Sequence, residues 1–341
     1  MSADADFAET LKRLAAGETL DAAGSARAFD EIMSGAVPES QIAEFLTALA
    51  EREPTVEEIV GAAKAMRAAM TTIRAPRNAV DLCGTGGDGH GTVNISTAAA
   101  LVVAACGVPV AKHGNRSASS RTGTADVLEA LGVKIDVPPA AAEDCLREVG
   151  ICFLFAPTYH AAMKHVAPVR KKLGFRTIFN LLGPLSNPAR VKRQLMGVFA
   201  AEWVDPLARV LKALGSERAW VVHGSDGLDE LTITGPSAVA VLESGRVMTR
   251  AVTPEEIGIA RVPLAALKGG GVEENAASLS ALLDGAKGAF RDVVLLNSAA
   301  ALMVADKAGD LKAGAKRAAE AIDTGAAKDL LARLAAATQK A

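Results

Sequence analysis

The sequence lacks the features that mark several large classes of protein. It carries no excess of one charge: 37 Lys and Arg oppose 39 Asp and Glu, a net of −2, so no global field gathers nucleic acid or an anionic membrane surface. The longest apolar run, Ala98 to Ala111, is broken by Gly107 and Pro109 and falls short of the ~20 residues that a membrane span needs. The chain opens Met1-Ser2-Ala3-Asp4-Ala5-Asp6, acidic where a secretory signal is basic and then apolar. The four cysteines (Cys83, Cys106, Cys145, Cys152) form no CxxC pair and lie in or beside apolar segments, where a free thiol acts as a small hydrophobe and not as a redox or zinc group. The five histidines (His90, His113, His160, His165, His223) form no HExxH and no i,i+4 pair, so no zinc site is expected. A Gly-x-Ser-x-Gly elbow and a Cys/His signature are missing too, which removes the familiar covalent mechanisms. These absences place the protein in the cytoplasm, away from membrane and nucleic acid.

What is there is an ordinary globular composition. Half of the 341 residues are apolar and 22% are charged, with 31 glycines and 14 prolines, which excludes a disordered or collagen-like chain. The length suggests one large domain or two smaller ones, and a chain of this size buries enough surface to fold without a disulfide or metal staple. No period of 20–50 residues recurs, so repeat architectures are out.

The segment to Thr72 has no strand-like run. Apolar residues recur at helical spacing, as in Phe7, Leu11 and Leu14 and in Ile42, Phe45, Leu46 and Leu49, which predicts four short helices. Helix starts are expected at Thr19, at Pro38-Glu39-Ser40 and at Pro54-Thr55, where side-chain or proline caps precede acidic residues. From Ala79 the period changes. Strand-like runs (Ala79–Cys83, Val108–Lys112, Ile151–Phe155) alternate with helical ones (Thr97–Cys106, Ala125–Leu131), the pattern of a parallel sheet covered by helices. Ala219–His223 reads as another buried strand, and Ala161–Leu182 as a basic helical stretch with Pro168 near its middle. The fold class is therefore α/β: a small N-terminal all-α domain plus a larger α/β domain with a mainly parallel central sheet flanked by helices.

Four motifs carry chemistry. In Asp81-Leu-Cys-Gly-Thr-Gly-Gly-Asp-Gly89 a strand enters a loop with glycines at 84, 86, 87 and 89 and a helix follows. Missing side chains let backbone N–H groups approach an anion, and the helix adds its positive end; the alternative is a bare tight turn. Gly84, Gly86 and Gly89 also satisfy GxGxxG, but a dinucleotide site needs an acidic residue at the end of the next strand. That strand ends instead in Lys112-His113-Gly114-Asn115-Arg116-Ser117, which suits a second phosphate. The first loop brings Asn94, Ser96 and Thr97 with its backbone donors, and the second brings Lys112, Asn115, Arg116, Ser117, Ser119 and Ser120. Two such loops suggest a ligand with two separated phosphate groups. Adjacent Asp229 and Glu230 follow His223-Gly224 in a Gly-containing loop and offer the hard oxygen ligands that Mg2+ takes when it bridges to phosphates; a solvated acidic turn is the plain reading. Lys164–Lys172 is either a solvated basic helix face or the source of an arginine, Arg170, whose planar fork meets a carboxylate.

In family order and over nearly the whole chain, these stretches resemble the anthranilate phosphoribosyltransferases. They are Gly84–Gly89, Asn94–Thr97, Lys112–Ser117, Ala125–Gly132, Ala167–Arg170, Arg176–Leu185, Asn187-Pro188, Val222–Gly224, Leu228–Glu230 and Glu274-Asn275. The resemblance implies a helical domain of residues 1–73 plus about 161–184, and a phosphoribosyl-diphosphate-binding α/β domain of 78–160 and 185–341, with the substrate cleft between them. It implies a homodimer formed through the helical domains. It further implies that phosphoribosyl diphosphate is held by Gly84, Gly87, Asp88, Thr92, Asn94, Ile95, Ser96, Thr97, Lys112, His113, Gly114, Asn115, Arg116, Ser117, Ala118, Ser119, Ser120 and Thr124. Gly84, Asn115 and Arg170 would hold anthranilate, and Ser96, Asp229 and Glu230 would hold Mg2+, two ions per subunit. Arg121-Thr122-Gly123-Thr124 departs from the family's Lys-Ser-Gly-Ser type of run; Thr124 keeps the hydroxyl and adds a methyl. No residue is assigned as general acid or base.

The implied reaction is Mg-dependent transfer of phosphoribosyl to the amine of anthranilate, with release of diphosphate, in tryptophan biosynthesis. The rival within the fold is a pyrimidine-nucleoside phosphorylase, which shares part of the Lys-His-Gly-Asn-Arg stretch. Phosphorolysis of a neutral nucleoside requires neither the Asp229-Glu230 pair nor a carboxylate-directed Arg170. A nucleic-acid-binding relative would need a basic surface that a net charge of −2 does not supply.

Overall fold

The computed structural model describes residues 3–116 and 122–340. Four helices come first: α1 (Ala3–Ala15), α2 (Ala22–Ser34), α3 (Glu39–Arg52) and α4 (Val56–Ala69). The apolar residues expected to share helix faces are all buried: Phe7, Leu11 and Leu14 of α1, and Ile42, Phe45, Leu46 and Leu49 of α3. Helix α4 starts as expected, with Thr55 and Glu58 in a reciprocal capping box. Helix α2 starts later than expected, because Leu20 N–H is drawn to Glu58 Oε1 at 2.9 Å and Asp21, not Thr19, caps the helix by accepting from Gly24 N–H at 2.6 Å.

Seven strands follow: β1 (Val80–Gly84), β2 (Val110–Gly114), β3 (Ile151–Phe155), β4 (Arg193–Gly197), β5 (Arg218–Gly224), β6 (Ser237–Glu243) and β7 (Arg246–Val252). They form one sheet in the order β3-β2-β1-β4-β5-β6-β7. The first five are parallel and β6 and β7 join antiparallel at one edge. The remaining helices are α5 (Ile95–Ala105), α6 (Thr124–Ala130), α7 (Pro139–Glu148), α8 (Ala156–Tyr159), α9 (Ala167–Leu173), α10 (Phe179–Leu185), α11 (Val204–Ala213), α12 (Val272–Leu283), α13 (Ala289–Val304), α14 (Leu311–Asp323) and α15 (Ala326–Gln339). The stretch read as one basic helix is broken: a 3-10 turn at Ala161–His165 leads into α9, where Pro168 occupies the first turn and its missing N–H costs nothing.

Alternate residues of β5 divide between two cores, as the two-residue strand period requires. Trp220 and Val222 face α5 and the C-terminal helices, whereas Ala219 and Val221 face α11 and the four-helix bundle. The bundle's core is thus continuous with one face of the sheet. Phe29 of α2 meets Phe179 of α10 at 5.6 Å between centroids, which carries the bundle's packing to the rim of the cleft described below. Among the described residues no helix is long and apolar enough to cross a membrane.

Candidate active site

The chain runs outward from β1 to β3 and then returns to lay β4 on the other side of β1. This reversal opens a crevice at the carboxyl ends of the strands, where such sheets hold ligands. Gly84 of β1 and Gly197 of β4 are register partners at that edge. With no side chain on either, the β5 loop drops between them: a Cβ on Gly84 would lie 2.2 Å from Asp229 Oδ2, and one on Gly197 would lie 1.5 Å from the Asp229 carbonyl oxygen. Asp229 Oδ2 then accepts from Gly86 N–H at 2.8 Å, so the acidic loop and the glycine loop are one structure. Gly86, Gly87 and Gly89 have φ of 65°, 77° and 78°, a left-handed path that glycine follows at little cost.

Helix α5 begins beside this loop. Lys112 of β2 is buried, with Nζ donating to Leu82 O at 2.5 Å and to Ser96 Oγ at 3.4 Å. Burial raises the carboxyl pKa values of both acidic residues; Asp88 adds to the rise at Asp229, and Asp229 adds to it at Glu230. Two crowded, buried carboxyl groups form an all-oxygen donor set whose mutual repulsion a divalent cation would relieve, which suits Mg2+. Among the described residues no three His, Cys, Asp or Glu side chains are grouped so as to hold a metal ion.

The far end of the cleft is made by β2, α8–α10 and the bundle. His113 N–H donates to the buried Asp81 carboxylate at 3.1 Å, and its Nδ1 lies 3.2 Å from Gly183 O. Its Nε2 is 3.2 Å from His160 Nε2. Burial lowers both histidines, His113 to about 3 and His160 to about 4, so this wall is uncharged at neutral pH. Lys164 and Arg170 are the cations on this side; Arg170 Nη2 donates to Asn180 Oδ1 at 3.4 Å and its guanidinium carbon lies 5.6 Å from the Phe179 ring centroid.

One cleft of about 750 Å³ collects Gly84, Gly87, Asp88, Thr92, Asn94, Ile95, Ser96, Lys112, His113, Gly114, Asn115, Arg116, Thr124, Arg170, Asp229 and Glu230. Thr97 is not on its surface; it is buried, with its hydroxyl donating to Thr124 Oγ1 at 3.1 Å, and so supports the second loop from beneath. Arg116 reaches the cleft, while its guanidinium is engaged by Asp126 at 2.7 Å and Glu129 at 2.6 Å. Ser117, Ala118, Ser119 and Ser120 lie outside the described residues. His223 turns away and meets Val198 O at 2.8 Å through Nδ1. The cysteines are free, and burial raises the thiol pKa of each, in keeping with the reading as small hydrophobes.

The fold brings here several residues without a site role in the sequence reading, although Arg176, Asn180 and Asn275 lie within stretches that match the family. Arg176 Nη2 donates to Gly87 O across the cleft rim, with its guanidinium over the Phe199 ring at 4.3 Å. His160 and Asn180 line the far wall, and Gly270 and Asn275 line the near one. Arg176, His160 and Asn275 lie far along the chain from the residues they touch, and a lone Arg, His or Asn has no local signature.

The glycosyl transferase family's helical bundle domain matches residues 8–70, and its a/b domain matches residues 76–328. The anthranilate phosphoribosyltransferase of Parvibaculum lavamentivorans is 60% identical over 333 residues, which cover 98% of each chain. The crystal structure of the Thermus thermophilus enzyme is 47% identical with a TM-score of 0.92, covering 96% of this chain and 99% of that one. The Saccharomyces cerevisiae enzyme in complex with PRPP and Mg is 28% identical with a TM-score of 0.90, covering 99% of both chains. Its complex with 4-fluoroanthranilate is 26% identical with a TM-score of 0.89, covering 100% of this chain and 99% of that one. With the fold, the cleft and both parts of the chain in agreement, the chain belongs to the anthranilate phosphoribosyltransferases of the glycosyl transferase family.

Proposed function

We propose that the cleft transfers the 5-phosphoribosyl group of phosphoribosyl diphosphate to the amine of anthranilate, releasing diphosphate and giving N-(5-phosphoribosyl)anthranilate for tryptophan biosynthesis in the cytoplasm. The observation that carries this reading is the joining of the glycine loop to the acidic loop by the 2.8 Å bond from Gly86 N–H to Asp229, with Arg170 at the other end of the same cleft. Phosphorolysis of a neutral nucleoside accounts for neither feature. The yeast complexes with PRPP and Mg and with 4-fluoroanthranilate support the same two ligands here.

The leaving diphosphate would rest on the glycine loop and the first turn of α5, whose N–H groups meet developing negative charge without reorganising. Ser96, Asp229 and Glu230 would hold Mg2+, two ions per subunit, which when bound neutralises the departing diphosphate. Lys112 keeps the paired carboxylates from repelling the phosphate oxygens. Gly114, Asn115, Thr124 and the 117–120 segment would hold the 5′-phosphate. Arg170, oriented by Asn180 and Phe179, would take the anthranilate carboxylate and turn its amine toward ribose C1. An aniline nitrogen attacks an oxocarbenium-like carbon without a strong base, so positioning and charge stabilisation carry the rate. The neutral His113–His160 wall fits an aromatic ring better than a cation would. Helices α1–α4 with 161–184 serve as a helical domain against the α/β remainder, and the subunit pairs as a homodimer through the helical parts.

The test is the loss of anthranilate fluorescence on adding phosphoribosyl diphosphate to the protein with and without Mg2+. Metal-dependent loss is expected. A folded protein that consumes no anthranilate but cleaves a pyrimidine nucleoside in the presence of phosphate contradicts the reading.

A further inference from the structure

We propose that Asn275, on α12, is a positioning residue for phosphoribosyl diphosphate: it sets the hydrogen-bonding polarity of Asn94 and keeps that side chain from capping α5. The inference rests on the reading of Asn94 as a ligand of the substrate.

Gly270 N–H can only donate, and it meets Asn275 Oδ1 at 2.8 Å. The other end of the Asn275 amide is therefore Nδ2, which donates to Asn94 Oδ1 at 2.9 Å and reaches toward Thr92 O at 3.5 Å. Asn94 Oδ1 is thus engaged, and its Nδ2 remains as the donor it brings to the cleft. The ionised phosphate oxygens that dominate at neutral pH accept, so this orientation suits the ligand and the opposite one repels it.

A second observation points the same way. Asn94 is the residue at the N-cap of α5, and an asparagine there ordinarily accepts from an N–H of the first turn. Here it makes no such bond, and its oxygen accepts from Asn275 instead. In that first turn Ser96 N–H is engaged by the Glu230 carboxylate, beside the loop that receives the anion. Asn275 is 2% exposed and is itself held by a glycine-rich loop. Gly269 N–H donates to Gly91 O at 2.9 Å, and a Cβ on Gly269 would lie 2.6 Å from Thr92 O and 2.7 Å from Asn275 Oδ1. The amide is fixed before substrate arrives, so its ordering is not a cost of binding.

The experiment is calorimetric titration of phosphoribosyl diphosphate, with Mg2+ present, into Asn275→Asp, Asn94→Ala and the double variant. The aspartate keeps the bond from Gly270 N–H but has no N–H to give Asn94, whose amide then turns its oxygen to the cleft. A loss of about tenfold or more in affinity is expected for Asn275→Asp, with anthranilate KM at saturating phosphoribosyl diphosphate unchanged. Each single variant should bind more weakly than wild type, and the double variant no more weakly than Asn94→Ala alone. Penalties that multiply in the double variant, or wild-type affinity in Asn275→Asp, overturn the proposal. Wild-type affinity in Asn94→Ala overturns the reading of Asn94 as a ligand, and the proposal with it. Should Asn275→Asp not fold, Asn275→Ala frees Asn94 to cap α5 and must give the same non-additive pattern.

Discussion

Gly84 and Gly197, 113 positions apart in sequence, are register partners on adjacent strands and together leave the groove in which Asp229 lies. Their lack of side chains brings the loop after β5, two strands over from β1, into contact with the glycine loop. Gly197→Ala would set a methyl 1.5 Å from a backbone oxygen, which only displacement of the acidic loop relieves. The expected outcome is a fall of about a hundredfold in kcat/KM, given that misplacement near 1 Å costs about that much. Gly84→Ala meets the mobile end of the Asp229 side chain at 2.2 Å and should cost less. Steady-state kinetics beside thermal melts check both, and a fully active Gly197→Ala contradicts the groove.

Arg170 is the residue proposed to take the anthranilate carboxylate. Arg170→Ala should raise the anthranilate KM by about tenfold to a hundredfold, the range for a lost bond to a charged group, and leave the phosphoribosyl diphosphate KM within about twofold. Arg170→Lys keeps the charge but loses the fork, so it should fall between. Initial rates with each substrate varied in turn decide this, and an unchanged anthranilate KM removes Arg170 from the site.

Acid should destabilise the fold through three groups. Burial works against the Glu58 charge, yet hydrogen bonds from Arg52, Leu20 and Thr55 hold its carboxyl below its ordinary value. Burial holds His160 at about 4 and His113 at about 3, the latter also repelled by His160. All three folded-state values lie below the unfolded ones, so their stabilising contribution is complete above the unfolded values and is lost as pH falls through the folded ones. The histidine contribution should decline from pH ~6.5 downward and that of Glu58 from pH ~4.3, the ordinary values of these groups. The raised carboxyls of Asp229 and Glu230 act in the opposite sense, so the check is the melting temperature of wild type against Glu58→Gln and His160→Gln across this range. Each variant should lose less stability on acidification than wild type, and parallel profiles contradict the assignment. Glu58→Ala should lose about 3–5 kcal/mol, since it strands the partly buried Arg52 without its partner.

Much of the architecture is legible in the sequence because helices and strands carry their own periods. Ile151–Phe155 is a strand as read, and the four N-terminal helices are present. The motifs are legible for a related reason: a glycine loop, a Lys-His-Gly-Asn-Arg stretch and an Asp-Glu pair are each local, and the fold gathers all three in one cleft. Contacts chosen by topology are not legible. The His113–His160 pair spans 47 positions and the Asn94–Asn275 bond spans 181. Nothing near Arg176 in the chain indicates that it will reach Gly87, or that Gly197 matters more than any other glycine at a strand end. Thr97 shows the converse limit: its motif is right, but the helix turns its side chain inward to Thr124.

The central claim is that the glycine loop and the acidic loop form one metal-linked diphosphate site. Its most direct test is calorimetric titration of phosphoribosyl diphosphate into wild type and into the double variant Asp229→Asn, Glu230→Gln over a series of Mg2+ concentrations. Wild-type affinity should rise with Mg2+, and the double variant should lose most of that dependence while remaining folded. A double variant whose affinity follows Mg2+ as the wild type does would contradict the claim.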